Sequence, residues 1–589
     1  MLESEEFCDK SDEKKQRLYF ASGYGLIQSA KGLMSFADDD LLAGLAHTRQ
    51  ATQVANQHRK KQSFIGSLVS SLQNPVGYIK SMTPVEQHAE LVYAESLFEK
   101  SLLGIAYSGD WLAFIKEVLN MRATMSIYRQ LGQYLDTMDA EARARGEPED
   151  TSIDVHFRSG VYLGVGMNNI ILSLMPGKLQ TLVELFGYKG DRQLGLEFLM
   201  KAGGWSYEQD EPSVNARDEG VRRAMCDMTL LIFHLFLSSF TFDGIDISIA
   251  QKIIDWNLKR YPNGVFFLFG AGRLSLCHSQ PQRALEYYNK ALTSQSQYMN
   301  LHHLSFWEIA LANFCLWDIP ASLKHWKILN DESTWSKAIY TYCVAACMLE
   351  TSNKEGKREA AKLMLKVPEL KQKIAGKSIP FEKFVARKAR KFQSQKNRLV
   401  LPTLELAYLF LAISHAPRSV IADKMLPEVY AALQKIEKGT ETDYQDGGYW
   451  DDYCLTKFLE GVCLRYIAYP EPDATIDPDE IVSIPKGEAE AKSVAAFKFV
   501  FENGPKIDLD HYIVYHAHYE YGRILRCQGN TDEAREQFEL ILSGKPLEVG
   551  PSGKKGRYSM ENPLQLRSHA ALEHMLQYKQ MQYQDLVPS

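Results

Sequence analysis

Four groups of side chains have the types and spacing to do chemistry. His511, His516 and His518 cluster near the C-terminal end. A metal site would need them on one side, and residues 516 and 518 point to different faces of a helix. Cys343 and Cys347 lie four apart, which is half a metal site on one helical face, and no second pair of ligands accompanies them. The run GVYLGVG at 160–166 superficially suggests a dinucleotide loop. Its spacing is wrong and no strand pattern precedes it, so close helix packing is the expectation. The fourth group is GKSIPFEKFVARKARKF at 376–392, with Lys377, Lys383, Arg387, Lys388, Arg390 and Lys391. Such a density of cations could dock an acidic partner segment or an anionic lipid head group, against the plain alternative of a solvated basic face. Pro380 should open a helix there. That helix places Phe381, Phe384, Val385 and Lys388 on one side and Arg387, Arg390 and Lys391 on another. No Walker-type loop, GxSxG elbow, HExxH or kinase signature occurs. The expectation is therefore no catalytic residue, no metal and no cofactor.

The elements that would position these groups are helices. Residues 263–292 read as an antiparallel pair, with Gly272 on the first helix and Ala284, Tyr288 and Ala291 on the second. Gly522, Ala534, Phe538 and Ile541 repeat the same offsets of twelve, four and three. Small residues let two backbones approach and the aromatic fills the groove beside them. This is the pattern of a tetratricopeptide repeat (TPR), so the fold class is all-α, a helical-repeat solenoid of antiparallel pairs. A degenerate unit spans 301–329, where Ala321 takes the small position and His325 the aromatic one, with Trp326 adjacent. Stacked pairs predict a curved body with an inner groove for a peptide or helix. The acidic, proline-rich stretch 470–485 reads as an exposed insertion between helices.

The chain has 589 residues, 45% hydrophobic and 24% charged, with a net charge of -6. That balance suits a folded soluble protein and argues against a nucleic-acid partner. Nine scattered cysteines without a CxxC pair predict reduced core thiols in a reducing compartment. The polar N-terminus resembles neither a secretory signal nor a mitochondrial presequence. Residues 225–242 are the most hydrophobic stretch, but Asp227 and His234 interrupt it, so a buried solenoid helix is preferred to a membrane span. The expected organisation is a flexible 1–17, a helical region 18–140, a central repeat region 155–440 with TPR-like units near 263–329, and a C-terminal TPR region 448–589 with a closing helix.

SGVYLGVGMNNIILSLMPGKLQTLVELFGYKGDRQLGLEFLMKA at 159–202, GKSIPFEKFVARKARKF at 376–392 and GRYSMENPLQLRSHAAL at 556–572 carry a resemblance. TPVEQHAELVYAESLFEKSLLG at 83–104 fits it too. With these stretches the chain resembles the tetratricopeptide repeat protein 39 family, which includes the fungal inclusion body clearance proteins. The resemblance implies an adaptor or scaffold that binds other proteins, linked to inclusion clearance, proteostasis and lipid droplets. It implies a cytoplasmic or nuclear location, with peripheral association at the mitochondrial outer membrane or lipid droplets. The alternative is a peripheral membrane or lipid-binding protein. The resemblance carries no set of functional residues.

Overall fold

A computed structural model describes residues 2–60, 74–107, 111–174, 189–239, 241, 244–374, 377–444, 447–545, 547 and 558–586. Helices account for nearly all of its regular structure. The N-terminal part contains α1 (Leu2–Ser11), α2 (Leu18–Ser35), α3 (Asp38–His58), α4 (Pro75–Lys80), α5 (Pro84–Tyr107), α6 (Trp111–Ala144), α7 (Val155–Ser173), α8 (Arg192–Lys201), α9 (Arg223–Leu235) and α10 (Ile247–Arg260). The pairs α11 (Val265–Cys277) and α12 (Pro281–Thr293), α13 (Asn300–Cys315) and α14 (Ile319–Glu332), and α15 (Lys337–Thr351) and α16 (Lys354–Lys366) follow. Next come α17 (Pro380–Ser394), α18 (Pro402–Leu409) and α19 (Leu426–Glu437). The chain closes with α20 (Tyr449–Ala468), α21 (Lys486–Asn503), α22 (Tyr512–Cys527), α23 (Thr531–Leu542) and α24 (Glu561–Leu586). Two-residue strands, Lys373–Ile374 and Lys377–Ser378, form an antiparallel pair before α17. KLQTLVELF at 178–186 reads as a short helix in the sequence and lies outside the described residues.

Local chemistry sets many boundaries. Asp154, Asp191, Asp246, Asp318 and Asn353 accept backbone N–H groups at the starts of α7, α8, α10, α14 and α16. Proline opens α12, α14, α17 and α18, where its missing N–H costs nothing. Three hairpins turn in the same way. Ser279, Trp317 and Gly529 take left-handed φ values of 55°, 54° and 84°. The N–H four residues before each second helix's buried small residue closes the turn: Gln280, Asp318 and Asn530 donate to the carbonyls of Ser275, Asn313 and Leu525 at 2.8 Å.

The repeat is more extensive than its two clear copies. Ala284, Tyr288 and Ala291 form a fully buried stripe on α12, and Ala534, Phe538 and Ile541 do so on α23. The same offsets of four and three recur in buried Ser322–Trp326–Leu329, Ala360–Met364–Val367, Val429–Leu433–Ile436 and Ser493–Phe497–Val500. Against these aromatics lie Gly272, Gly461 and Gly522. A Cβ at Gly461 would stand 2.7 Å from the Phe497 ring, one at Gly522 would stand 2.9 Å from Phe538, and one at Gly272 would overlap Tyr288. In the 319–332 helix the register is one residue later than the sequence suggested. Ser322 takes the small position, its Oγ donating to Ala310 O at 2.9 Å, and Trp326 takes the aromatic one. Ala321 and His325 face partly outward.

Two hydrophobic cores meet on α11. One gathers side chains from Ile79 to Cys277, the other from Leu276 to Met575. Of the apolar stretch, residues 225–235 lie on α9, whose Leu230, Leu231, Phe233 and Leu235 are core. Its interrupting polar residues are partnered: Asp227 accepts from Trp205 Nε1 and Asn257 Nδ2 at 2.8 Å, and His234 Nδ1 accepts from Asp246 N at 3.0 Å. No helix among the described residues is long and apolar enough to cross a membrane. The glycines of 160–166 serve close packing, Gly166 against Leu199 and Gly160 against Leu91. The N-terminal helices return onto the repeats: Phe36 stacks near Trp335 at 4.2 Å, and Trp335 Nε1 donates to Leu33 O at 3.3 Å.

Candidate partner-binding surface

Helix α17 carries the basic segment, and its 3.6-residue period sorts the cations into two sets. Lys383, Arg387 and Arg390 are exposed and share one stripe. Arg387 Nη1 donates to Ser559 Oγ at 3.0 Å. Lys377 stands apart, on the second short strand. Lys388 and Lys391 do not belong to the basic face, although the sequence counted both in the cluster and put Lys391 beside Arg387 and Arg390. They are only 2% and 4% exposed, beside Phe384, Val385 and Phe392 in the core. A face of three cations remains where the sequence suggested six.

The two inward lysines survive burial because carboxylates meet them. Lys388 Nζ lies 2.9 Å from both Glu405 Oε1 and Asp510 Oδ2. Lys391 Nζ lies 2.7 Å from Asp510 Oδ2 and 3.2 Å from Asp452 Oδ1. Arg398 adds a third cation, 3.1 Å from Asp452 Oδ2. Asp451 accepts the backbone N–H groups of Asp508, Leu509 and Asp510, which fixes the entry to α22. Tyr512 donates its hydroxyl to Glu405. Burial alone would raise the Asp510 carboxyl, but Lys388 and Lys391 outweigh it and hold the group well below the usual carboxylate range. The network ties α17, α18, α20 and α22 together, which is a structural task.

A second charged cluster lies where the 470–485 segment crosses the repeats. Glu471 sits 2.9 Å from Arg523 Nη2 and 3.7 Å from Arg465 Nη2. Burial opposes its charge, yet Arg523 and Arg465 pull it down to about 2. Arg465 Nη1 also meets Glu520 Oε2 at 3.1 Å, and Tyr408 Oη donates to Glu520 Oε1 at 3.2 Å. His516 is buried 2.9 Å from Tyr408 Oη, and burial pushes its pKa down to about 3. His518 stacks on Phe501 with centroids 4.1 Å apart and meets Gln537. Among the described residues no three His, Cys, Asp or Glu side chains are arranged to hold a metal ion. Cys343 and Cys347 are both buried in the core.

The inner side of the repeats differs from an open trough. α11 buries ten of its thirteen residues, α20 sixteen of twenty and α22 twelve of sixteen, whereas α12 buries four of thirteen. First helices are thus central struts, and second helices show their polar faces to solvent. The expected inner groove is filled along these helices by neighbouring side chains and by Glu471. An open cleft of 1590 Å³ is lined by α8, the loop after it and Glu573 of α24. Its wall mixes Arg192, Lys201 and Glu197 with Leu196, Trp205 and the exposed Tyr207.

The profile of the Iml2/Tetratricopeptide repeat protein 39 family matches residues 3–467. Tetratricopeptide repeat protein ttc-39B of Caenorhabditis elegans is 26% identical over 574 residues, covering 97% of this chain and 88% of its own. Repeat units in one register, first helices buried as struts and a family profile across most of the length agree, and the chain belongs to the Iml2/Tetratricopeptide repeat protein 39 family.

Proposed function

We propose that the protein is a non-enzymatic adaptor that binds an acidic segment of another protein through Lys383, Arg387 and Arg390. The observation that carries the reading is the sorting of cations on α17. Two are neutralised inside, and three stand outward on one stripe at i, i+4 and i+7. The repeat architecture supports a scaffold that presents a partner and makes or breaks no bond. The process is inclusion clearance and proteostasis linked to lipid droplets, with action in the cytoplasm or nucleus and peripheral contact at droplets or the mitochondrial outer membrane. Family resemblance supports that part.

Proximity labelling in cells tests the adaptor. The natural chain is set beside a variant with Lys383→Glu, Arg387→Glu and Arg390→Glu. Lys388 and Lys391 stay untouched so that the fold is kept. The expected result is a small labelled protein set from which the variant loses at least one member. Identical sets would remove the stripe as a site. Binding of the natural chain, and not the variant, to vesicles containing anionic lipid would instead support the membrane-peripheral alternative.

A further inference from the structure

The turn between α20 and α21 is enlarged. Gly461 and Ser493 are the facing small residues of that pair, joined by Ser493 Oγ donating to Gly461 O at 2.6 Å. They are thirty-two residues apart, whereas Gly272 and Ala284, or Gly522 and Ala534, are twelve apart. Twenty extra residues therefore sit in a turn that its sister units make tightly. Insertions in repeat arrays gather on one face, often the binding face.

The enlarged turn does not loop away into solvent. It makes two tight turns, closed by Ala474 N donating to Glu471 O and Glu480 N to Asp477 O at 3.0 Å, and is pinned at three places. Glu471 enters between Arg465 and Arg523. At the second place Thr475 N donates to His278 O at 3.0 Å, and Asp473 O lies 2.7 Å from His278 Nδ1, at the hairpin of a unit almost two hundred residues earlier. At the third, Glu480 takes the guanidinium of Arg418 and the N–H of Ser419, each at 2.9 Å. Arg418 and Ser419 begin the helical run that leads into α19, so this seat combines a guanidinium with one backbone amide. From Glu480 onward the chain alternates. Glu480, Val482 and Ile484 turn inward, with the latter two packed on the core, while Ile481 is 86% exposed. Over 480–482, where no turn or bend intervenes, alternate side chains face the body and the solvent, as in a docked strand.

We infer that this ledge is a binding site for an acidic–aliphatic peptide of a partner protein, occupied in cis by residues 471–484. The occupant defines the ligand chemistry: a carboxylate for Arg418 and Ser419 N, followed at the second and fourth positions by aliphatic side chains. A second carboxylate nine residues earlier reaches Arg465 and Arg523. The partner's segment takes the ledge by replacing the chain's own, and the site rests on the adaptor reading above.

The probe is a fluorescein-labelled peptide of residues 470–485, followed by anisotropy with the full-length chain. A variant with Glu480→Lys, Val482→Ser and Ile484→Ser weakens the resident end. It should bind the peptide at least tenfold more tightly than the natural chain, and adding Arg418→Glu should abolish the gain. A second form carries a protease site between Asp477 and Asp479, at the exposed tip, and is cut after folding. It decides the case if the first variant does not melt cooperatively. The cut chain should bind the peptide at least tenfold more tightly than the uncut one. No gain in the folded variant, or none in the cut chain, overturns the proposal. The proximity-labelled partner set of the natural chain is read separately. If that set persists while peptide binding fails, only the ledge falls, and if the set is empty the adaptor itself falls.

Discussion

Lys391 and Arg390 are neighbours in sequence with opposite fates, and a single substitution at each tells them apart. Removing the Lys391 ammonium leaves Asp510 and Asp452 with one fewer cation in a dry site. Breaking a buried pair by deleting one partner costs about 3–5 kcal/mol. Lys391→Met should therefore lower unfolding free energy by about 3 kcal/mol or more in urea titration, while Arg390→Met should stay within about 0.5 kcal/mol. Glu99 supplies a pH-dependent case. Burial, then the nearby charge of Glu95, raises its carboxyl to about 8, and Arg222 and Ser29 offset this only in part. Unfolded, the group ionises near ~4.3. Between these values the folded state keeps a proton that the unfolded state has lost, so stability falls as pH rises through that window. Glu99→Gln removes the loss. Its gain over the natural chain should be larger at pH 8.5 than at pH 5.5, by roughly 2–3 kcal/mol, in paired denaturant titrations. Neither residue's fate was legible beforehand. The four-residue pattern showed which way Lys388 points, but its counter-ions Glu405 and Asp510 lie in other helices.

At the scale of the helix pair, the register decides which side chain carries the packing. Trp326 is wholly buried against Ser322 and Leu329, whereas His325 is half-buried. Trp326→Ala should cost about 3–5 kcal/mol, as large core truncations do. His325→Ala should cost below about 1 kcal/mol, and thermal melts of the two variants give the order directly. The sequence reading slipped by one residue here for a physical reason. Its two guide units use alanine at the small position, and this unit uses serine, whose hydroxyl is satisfied by Ala310 O. The helix pair at 449–503 was legible as two helices around an insertion, but its enlarged turn put Gly461 and Ser493 off the twelve-residue offset of the guide units. The composition of 470–485 did mark an insertion. Its seats were out of reach because Arg418, Arg523 and His278 come from distant hairpins.

At the scale of the whole molecule, the two hydrophobic cores share α11, and the N-terminal helices lean on the hairpins at 298–335. This contact joins the first helices to the repeats without passing through the intervening core. Trp335→Ala should therefore speed amide hydrogen exchange in α2 while leaving α22 and α23 unchanged, read by mass spectrometry of peptides from 18–35 and 512–542. The all-helical solenoid was legible from small and aromatic spacing alone, since helix pairs repeat local rules. This closure was not, because Phe36 and Trp335 belong to no common pattern.

The distance along the chain between those two residues also sets a clock. Leu33 and Trp335 are 302 positions apart. At synthesis rates of about 5–20 residues per second, the hairpin that receives α2 leaves the ribosome roughly 15–60 s after α2 itself. For that interval Leu41, Leu45 and Leu103 can pack on one side of the Phe36 ring, but the side that will meet Trp335, with the end of α2 beside it, lacks its cover. Nascent chains stalled before residue 335 should engage chaperones through this segment, and chains stalled well beyond it should release them.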